Sequence, residues 1–219
     1  YTFLSADYCQ IELRIMAEVS RDPLLLDVFQ RNTKRLSKPN DSHFLSSSQM
    51  VRANFDPFRG IASHWLRKPP SEITREERER TKSLCYGMLY GMGAASLATT
   101  LHVTEDAAKE ILQDFRRKFN GATEFIRKVG EQVRMNGSVV TILGRKRYFP
   151  NARNPKLPFY KRAEIERKAV NTICQGSAAD LVKLAMIQIQ EYLLNIHPQS
   201  FFTPPARVVL QLHDEVLLE

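Results

Sequence analysis

The sequence predicts an α+β fold, mostly helical with a small sheet. Three observations predict it. Apolar residues recur at helical spacing over most of the 219 positions. Two short apolar runs, TFLSADY at residues 2–8 and VVLQL with VLLE at 208–219, read instead as strands. Both runs deliver carboxylates, Asp7 in the first and Asp214 with Glu215 in the second, the latter within QLHDEVLLE.

Acids set among apolar strand residues are costly to bury unless something compensates them. Two strands that each present a carboxylate could place them side by side, where like charges repel unless a divalent cation lies between. Oxygen ligands of this kind suit Mg²⁺ far better than zinc. Glu12 adds a further acid inside an apolar segment. Taken alone, either site reads more readily as solvent-exposed acids at strand ends, and the pair needs a third, independent feature.

In chain order, residues 10–20 carry an apolar stripe at Ile11, Ile15 and Val19, widened by Leu13 and Met16, and predict a helix. Asp22-Pro23 is a helix start, with a capping acid and proline at the first turn, leading into LLLDVFQ. Residues 31–54 are Ser/Asn-rich and aperiodic, and read as a disordered inserted loop. Arg31, Lys34, Arg35, Lys38 and Arg52 face only Asp41 there, so the loop is expected to add salt-sensitive affinity for a polyanion. Pro69-Pro70 interrupts the chain, and Thr74 with Glu77 forms a capping box for the next helix. That helix ends at Gly91 and Gly93, and further helices are expected over 104–118 and 121–135. SVVTIL at 138–143 reads as a strand, closed by Gly144 and the basic cluster Arg145, Lys146 and Arg147. A long helix follows from 161 to about 194, with a bend expected near Gly176.

Composition bounds the function. Lys+Arg 32 against Asp+Glu 24 gives a net charge of +8, which suits a polyanionic partner. No apolar stretch reaches the roughly 20 residues of a membrane span, and no signal-peptide pattern opens the sequence. Cys9, Cys85 and Cys174 are isolated, so a reducing compartment and no zinc site are expected. The first residue already lies in a strand pattern and the last ends one, as in a segment of a longer protein.

Two helical stripes carry more chemistry. In REERERTKSLCYGMLYGMG, Arg78, Lys82 and Tyr86 stand at four-residue steps and share one helix face. Two cations followed by an aromatic ring make a track for a triphosphate ending in a platform for a base. Gly87 removes a side chain where a ring could stack. In ERKAVNTICQGSAAD, Arg167, Asn171 and Gln175 repeat the spacing with donor-rich side chains suited to groove edges. Either stripe alone is also what a solvated polar helix face looks like.

DYCQIELR, RERTKSLCYGMLYG and HDE, in this order, resemble the three motifs of family A DNA polymerases. TILGRKRYFP and ERKAVNTICQGSAADLVKLAM resemble that family too, and only 31–54 falls outside the resemblance. YGMGAASLA and NTICQGSAADLVK look most similar to the eukaryotic theta and nu polymerases of DNA repair. The resemblance implies a right-hand polymerase palm with an antiparallel sheet and mostly helical fingers, and no thumb. Residues 1–9 and 161–219 would be palm and 10–160 fingers, with HDE at a hairpin tip facing a cleft.

It also implies roles. Asp7 and Asp214 would hold two Mg²⁺ ions with the Tyr8 carbonyl, Glu215 would support the metal site, and His213 would lie near the primer terminus. Arg78 and Lys82 would grip the incoming dNTP, with Lys82 the candidate to protonate the leaving group. Tyr86 would stack on the nucleotide, and Tyr90 would fill the template-base position until the fingers close. Glu12 would be a steric gate against ribose, and Gln10 also belongs to the nucleotide site. Arg167, Asn171 and Gln175 would read the minor groove of primer–template DNA, and Arg145, Lys146 and Arg147 would meet primer phosphates.

A theta- or nu-like protein would be nuclear. Phe58 replaces a histidine common in bacterial members, so one triphosphate contact would be lost or supplied by Arg59. Three other readings remain at this point: a two-metal nuclease, a non-catalytic DNA-binding module, and a bacterial-type replicative or repair polymerase I. A nuclease needs neither the Arg78–Lys82–Tyr86 track nor a sugar gate, and a degenerate binding module would be expected to have lost Asp7, Asp214 or Lys82.

Overall fold

The computed structural model describes residues 2–36, 56–196 and 206–219. In chain order the elements are β1 (Leu4–Asp7), α1 (Ile11–Ser20), α2 (Pro23–Leu36), α3 (Pro57–Leu66), α4 (Arg75–Tyr90), α5 (Ala94–Leu101), α6 (Glu105–Lys118), α7 (Asn120–Asn136), β2 (Ser138–Val140), β3 (Lys146–Tyr148), α8 (Phe159–Ile196), β4 (Val208–Leu212) and β5 (Glu215–Leu218). The architecture is α+β, as expected. None of the described helices is long and apolar enough to cross a membrane. The chain forms two compact units, Tyr1–Ile15 with Gly130–Glu219, and Met16–Val129. Residues 130–160, which the resemblance assigns to the fingers, fold in the same unit as the sheet.

In that unit, β1, β5 and β4 form an antiparallel sheet in the order β1-β5-β4. The register sets Asp7 opposite Glu215 and Leu212 opposite Glu215, with an irregularity between Val208 and Leu210. Arg207 and Glu219 close the far end of the β4–β5 hairpin, exchanging backbone hydrogen bonds of 2.8 and 2.9 Å. The expected strand at 138–143 is shorter than its apolar pattern. It stops at Val140, because Thr141 begins the turn to β3. The β2–β3 hairpin packs on α8.

Helix α8 runs unbroken through Gly176. The glycine answers a close approach: a Cβ there would sit 2.8 Å from Thr141 Cγ2 and 3.3 Å from Arg145 Nη2. Valines and alanines on the inner face of α8, among them Ala169, Val170, Ala178 and Val182, are buried and supply that unit's core with Val139 and Val216.

The second unit is helical. Asp22 caps α2 as expected, its Oδ1 accepting from the amides of Leu24 and Leu25 at 3.1 Å. Its Oδ2 also accepts from Ala122 N at 3.2 Å, so one fully buried carboxylate serves two helix starts. Asp56-Pro57 repeats this device at α3, a helix the aperiodic stretch before it concealed. Thr74 and Glu77 complete the capping box of α4, and Thr104 caps α6. The core gathers Ile61, Leu84, Leu89, Leu97, Phe115 and Phe119, all at most 1% exposed. Trp65 packs edge-on against Phe115 at 5.4 Å and donates to Asp114 at 2.8 Å. Helix α5 is a second element without an expectation. Of the expected loop at 31–54, residues 31–36 continue α2, and the remainder lies outside the described residues.

Candidate active site

In the first unit the acids cluster through backbone geometry. His213 and Asp214 form the two-residue turn joining β4 to β5, so Glu215 is already the first residue of a strand and not part of the tip. A two-residue hairpin turn requires positive φ, and His213 supplies it at 55°. Gln211 Nε2 donates to the His213 carbonyl at 2.9 Å and braces the turn. Tyr8 N donates to the Asp214 carbonyl at 3.2 Å, tying the end of β1 to the hairpin tip. Asp7, Tyr8, Asp214 and Glu215 are thereby brought together by two strand ends and one turn. Ser5 Oγ donates to the Glu215 carboxylate, which engages this acid within the sheet.

A pocket of about 480 Å³ opens beside them. Glu12, Asn171 and Gln175 line it, as do Arg145, Arg147, His213 and Asp214. Arg145, just before β3, and Arg147 within it both line the pocket. Lys146 lies over the Tyr148 ring at 4.9 Å. The basic cluster therefore splits: two arginines meet α8, and Lys146 does not join them. Arg147 Nη1 donates to Thr172 Oγ1 at 2.8 Å, and Arg145 is held by Asp180 and the Gly176 carbonyl. Arg167 is exposed and outside the pocket lining, so the expected stripe is represented there by Asn171 and Gln175. Gln10 precedes α1 with φ of 55° and is half-buried.

Cys85 and Cys174 are buried thiols. Burial, and then the nearby Glu12 charge, push Cys174 up to about 12, and burial likewise raises Cys85. Among the described residues no group of three or more His, Cys, Asp and Glu side chains could hold a metal ion. Asp7, Asp214 and the Tyr8 carbonyl could offer only a smaller, all-oxygen set, a donor type that suits a hard cation completed by other oxygens.

In the second unit, Arg78, Lys82 and Tyr86 lie along α4, all half-buried. Tyr86 and Tyr90 stack with centroids 6.1 Å apart and planes within 9°. Phe58 is 2% exposed and lies beneath them, 5.9 Å from Tyr86 and 5.4 Å from the Arg78 guanidinium. Arg78 is already engaged: the hydrogen bond it donates to the Asp56 carboxylate is the first cause of its raised pKa, opposed by burial, with Glu79 adding to the rise. Lys82 makes no ion pair among the described residues and is the available cation of the stripe. Arg59, the other candidate for the histidine's contact, donates through Nη1 to the carbonyls of Ile73 at 2.7 Å and Pro70 at 3.3 Å. Gly87 also answers a close approach within its own unit. Its missing side chain clears Met92, whose Cβ lies 3.3 Å from the Cβ position, as the chain turns back at Gly91 with φ of 68°.

Asp56, Asp180, Ser177 and Thr141 carried no expectation. Asp56 had a signal, the same Asp-Pro pair as Asp22-Pro23. The others have none, because their partners are distant in sequence.

The family model described as DNA polymerase family A matches residues 1–219. The chain belongs to DNA polymerase family A. Among its relatives are DNA polymerase theta of Mus musculus, 38% identical, and of Drosophila melanogaster, 36% identical, over 99% of this chain and 9% of each relative. DNA polymerase I of Mycobacterium leprae is 35% identical over 99% of this chain and 20% of its own length. A solved structure described as the POL domain of Pol1 from M. smegmatis in complex with DNA primer-template and dNTP superposes with a TM-score of 0.80. It is 34% identical, and the match covers 99% of this chain and 33% of that one. This family A chain thus spans a third or less of the proteins it matches.

Proposed function

We propose that this chain carries the nucleotidyl-transfer site of a template-directed DNA polymerase that extends a primer 3′-OH with dNTPs. The observation that carries the reading is the hairpin tip: a tight turn places Asp214 beside the end of β1, at the edge of a pocket with paired arginines and amides. A nuclease has no use for that combination with the Arg78–Lys82–Tyr86 stripe.

Asp7, Asp214 and the Tyr8 carbonyl would hold two Mg²⁺ ions. When bound, these would lower the pKa of the primer 3′-OH and stabilise the leaving pyrophosphate. Glu215, held by Ser5, keeps negative charge beside this set. Lys82 Nζ carries a proton to the oxygen released as the bond between the α- and β-phosphates breaks. Arg78 meets the triphosphate once its pairing with Asp56 is exchanged. Tyr86 offers its ring to the nucleotide, and Tyr90, stacked on it, holds the template position. Glu12 excludes a ribose 2′-OH. Asn171 and Gln175 contact the minor groove, Arg145 and Arg147 the primer side, and Arg167 the DNA beyond the pocket.

Repair synthesis, by translesion or end joining, and a nuclear location rest on the resemblance to the theta branch. Identity of 38% to the mouse protein supports it.

Primer extension by the full-length protein tests the proposal. Extension should require Mg²⁺ and stop with chelator. Asp7→Ala or Asp214→Ala should lower turnover by about 10³-fold or more, while DNA affinity, set by phosphate contacts, changes little. Normal extension by Asp214→Ala would remove the assignment. Extension across a template lesion decides the repair role.

A further inference from the structure

Asp180 sits on α8 one turn beyond Gly176 and is 9% exposed. Both of its oxygens are used. Oδ2 accepts from Thr141 Oγ1 at 2.5 Å, and Oδ1 accepts from Arg145 Nε at 2.8 Å. Arg145 Nη2 lies 2.8 Å from the same Oδ1 and donates to the Gly176 carbonyl at 2.9 Å. The Arg145 backbone is anchored too, its amide donating to Thr141 Oγ1 at 3.1 Å. Ser177 Oγ accepts from Ile142 N at 2.9 Å and fastens the same turn without touching Arg145. Gly176 lets the turn come this close.

The consequence is a guanidinium gripped on one edge and open on the other. Nε and Nη2 are occupied, while Nη1 makes no hydrogen bond among the described residues. The side chain is still 54% exposed, and it lines the pocket with Asn171 and Gln175. A long side chain normally loses rotamer freedom when it binds. One already locked along its planar edge, by one carboxylate oxygen and a backbone carbonyl, loses less. A buried carboxylate is costly to keep ionised, and Thr141 and Arg145 compensate that burial by holding its carboxyl below the usual range.

We infer that Asp180 is a positioning residue for DNA: it locks Arg145 so that Nη1 faces the primer–template in the pocket. The inference rests on the polymerase reading above. A purely structural Asp180 would fasten the β2–β3 turn to α8 and nothing more.

Steady-state single-nucleotide extension by the full-length protein separates the two. Asp180→Asn and Arg145→Ala should each raise the primer–template KM about tenfold with kcat little changed, as expected for lost preorganisation of one contact. The double variant should be no worse than either single one. Ser177→Ala should weaken protection of the 141–145 amides against hydrogen exchange while leaving KM as in the wild type. If Asp180→Asn does not fold, Arg145→Lys carries the test: it keeps the charge but cannot be gripped as a fork, and should match Arg145→Ala. Wild-type KM for Asp180→Asn or Arg145→Lys, a roughly hundredfold effect in the double variant, or equal KM defects in Ser177→Ala and Asp180→Asn would overturn the inference. A wild-type protein that does not extend primers at all would instead remove the polymerase reading, and this one with it.

Discussion

Gly176→Ala should destabilise the protein, against the rule for helices. In a helix interior, alanine is favoured over glycine by about 1 kcal/mol. Here the new Cβ would stand 2.8 Å from Thr141 Cγ2. Thr141 cannot retreat. It is 5% exposed and β-branched, and its hydroxyl is bonded to Asp180 and to the Arg145 amide. Overpacking of this kind costs about 1–3 kcal/mol, so the net effect should be a loss of up to about 2 kcal/mol. Arg145 Nη2, 3.3 Å from the same Cβ, would be displaced as well. Gly130→Ala in α7 is the control. Its Cβ would meet the end of the Glu166 side chain at 3.2 Å, a flexible group that need yield only a few tenths of an ångström and can keep its half-exposed pairing with Arg134, so the propensity gain should survive. Hydrogen exchange on the full-length protein reads both, at the α8 and 141–145 amides for Gly176→Ala and at α7 for Gly130→Ala. Increased protection at α8 and the 141–145 turn in Gly176→Ala would refute the close-approach argument.

Glu12→Ala should admit ribonucleotides, with the wild type discriminating about 30- to 1000-fold, and Tyr86→Phe should lower use of dideoxynucleotides; single-nucleotide incorporation measures both. Asp56→Asn keeps the cap of α3 but removes the charge that engages Arg78, so the KM for dNTP should fall several-fold, and a KM that rises would show that Asp56 orients Arg78 and does not compete for it. The folded-state pKa of Asp180 is depressed: burial raises it, and the bonds from Thr141 and Arg145 more than reverse this. Its stabilisation is therefore present above the unfolded value of about 3.9 and lost as pH falls through the folded one. The stability gap between wild type and Asp180→Asn should hold at neutral pH and close below about pH 4 in denaturant titrations, and a gap that persists there would contradict the ionised carboxylate.

What the sequence determined by itself was local in origin. Helix starts at Asp22, Thr74 and Thr104 follow from side chains that bond amides two or three residues away, so the signal and its effect lie in the same short stretch. The acid-bearing strands were visible for the same reason, since a short apolar run is written residue by residue. Family membership was legible in DYCQIELR, RERTKSLCYGMLYG and HDE, motifs whose order a sequence states directly. Tertiary structure decided what depends on partners far along the chain. Strand β2 ends at Val140 although its apolar run continues, because Thr141 turns to meet Asp180, 39 residues later. Gly176 looked like a bend and is a contact surface, since the atoms it avoids belong to Thr141 and Arg145. Arg145, Lys146 and Arg147 looked like one basic cluster, yet bonds to Asp180, Gly176 and Thr172 on α8 hold the two arginines at the pocket while Lys146 lies over Tyr148. Arg78 read as a cation open to a triphosphate, but Asp56, 22 residues earlier, already engages it. A charge's availability depends on what neutralises it, and that is settled only when the chain has folded.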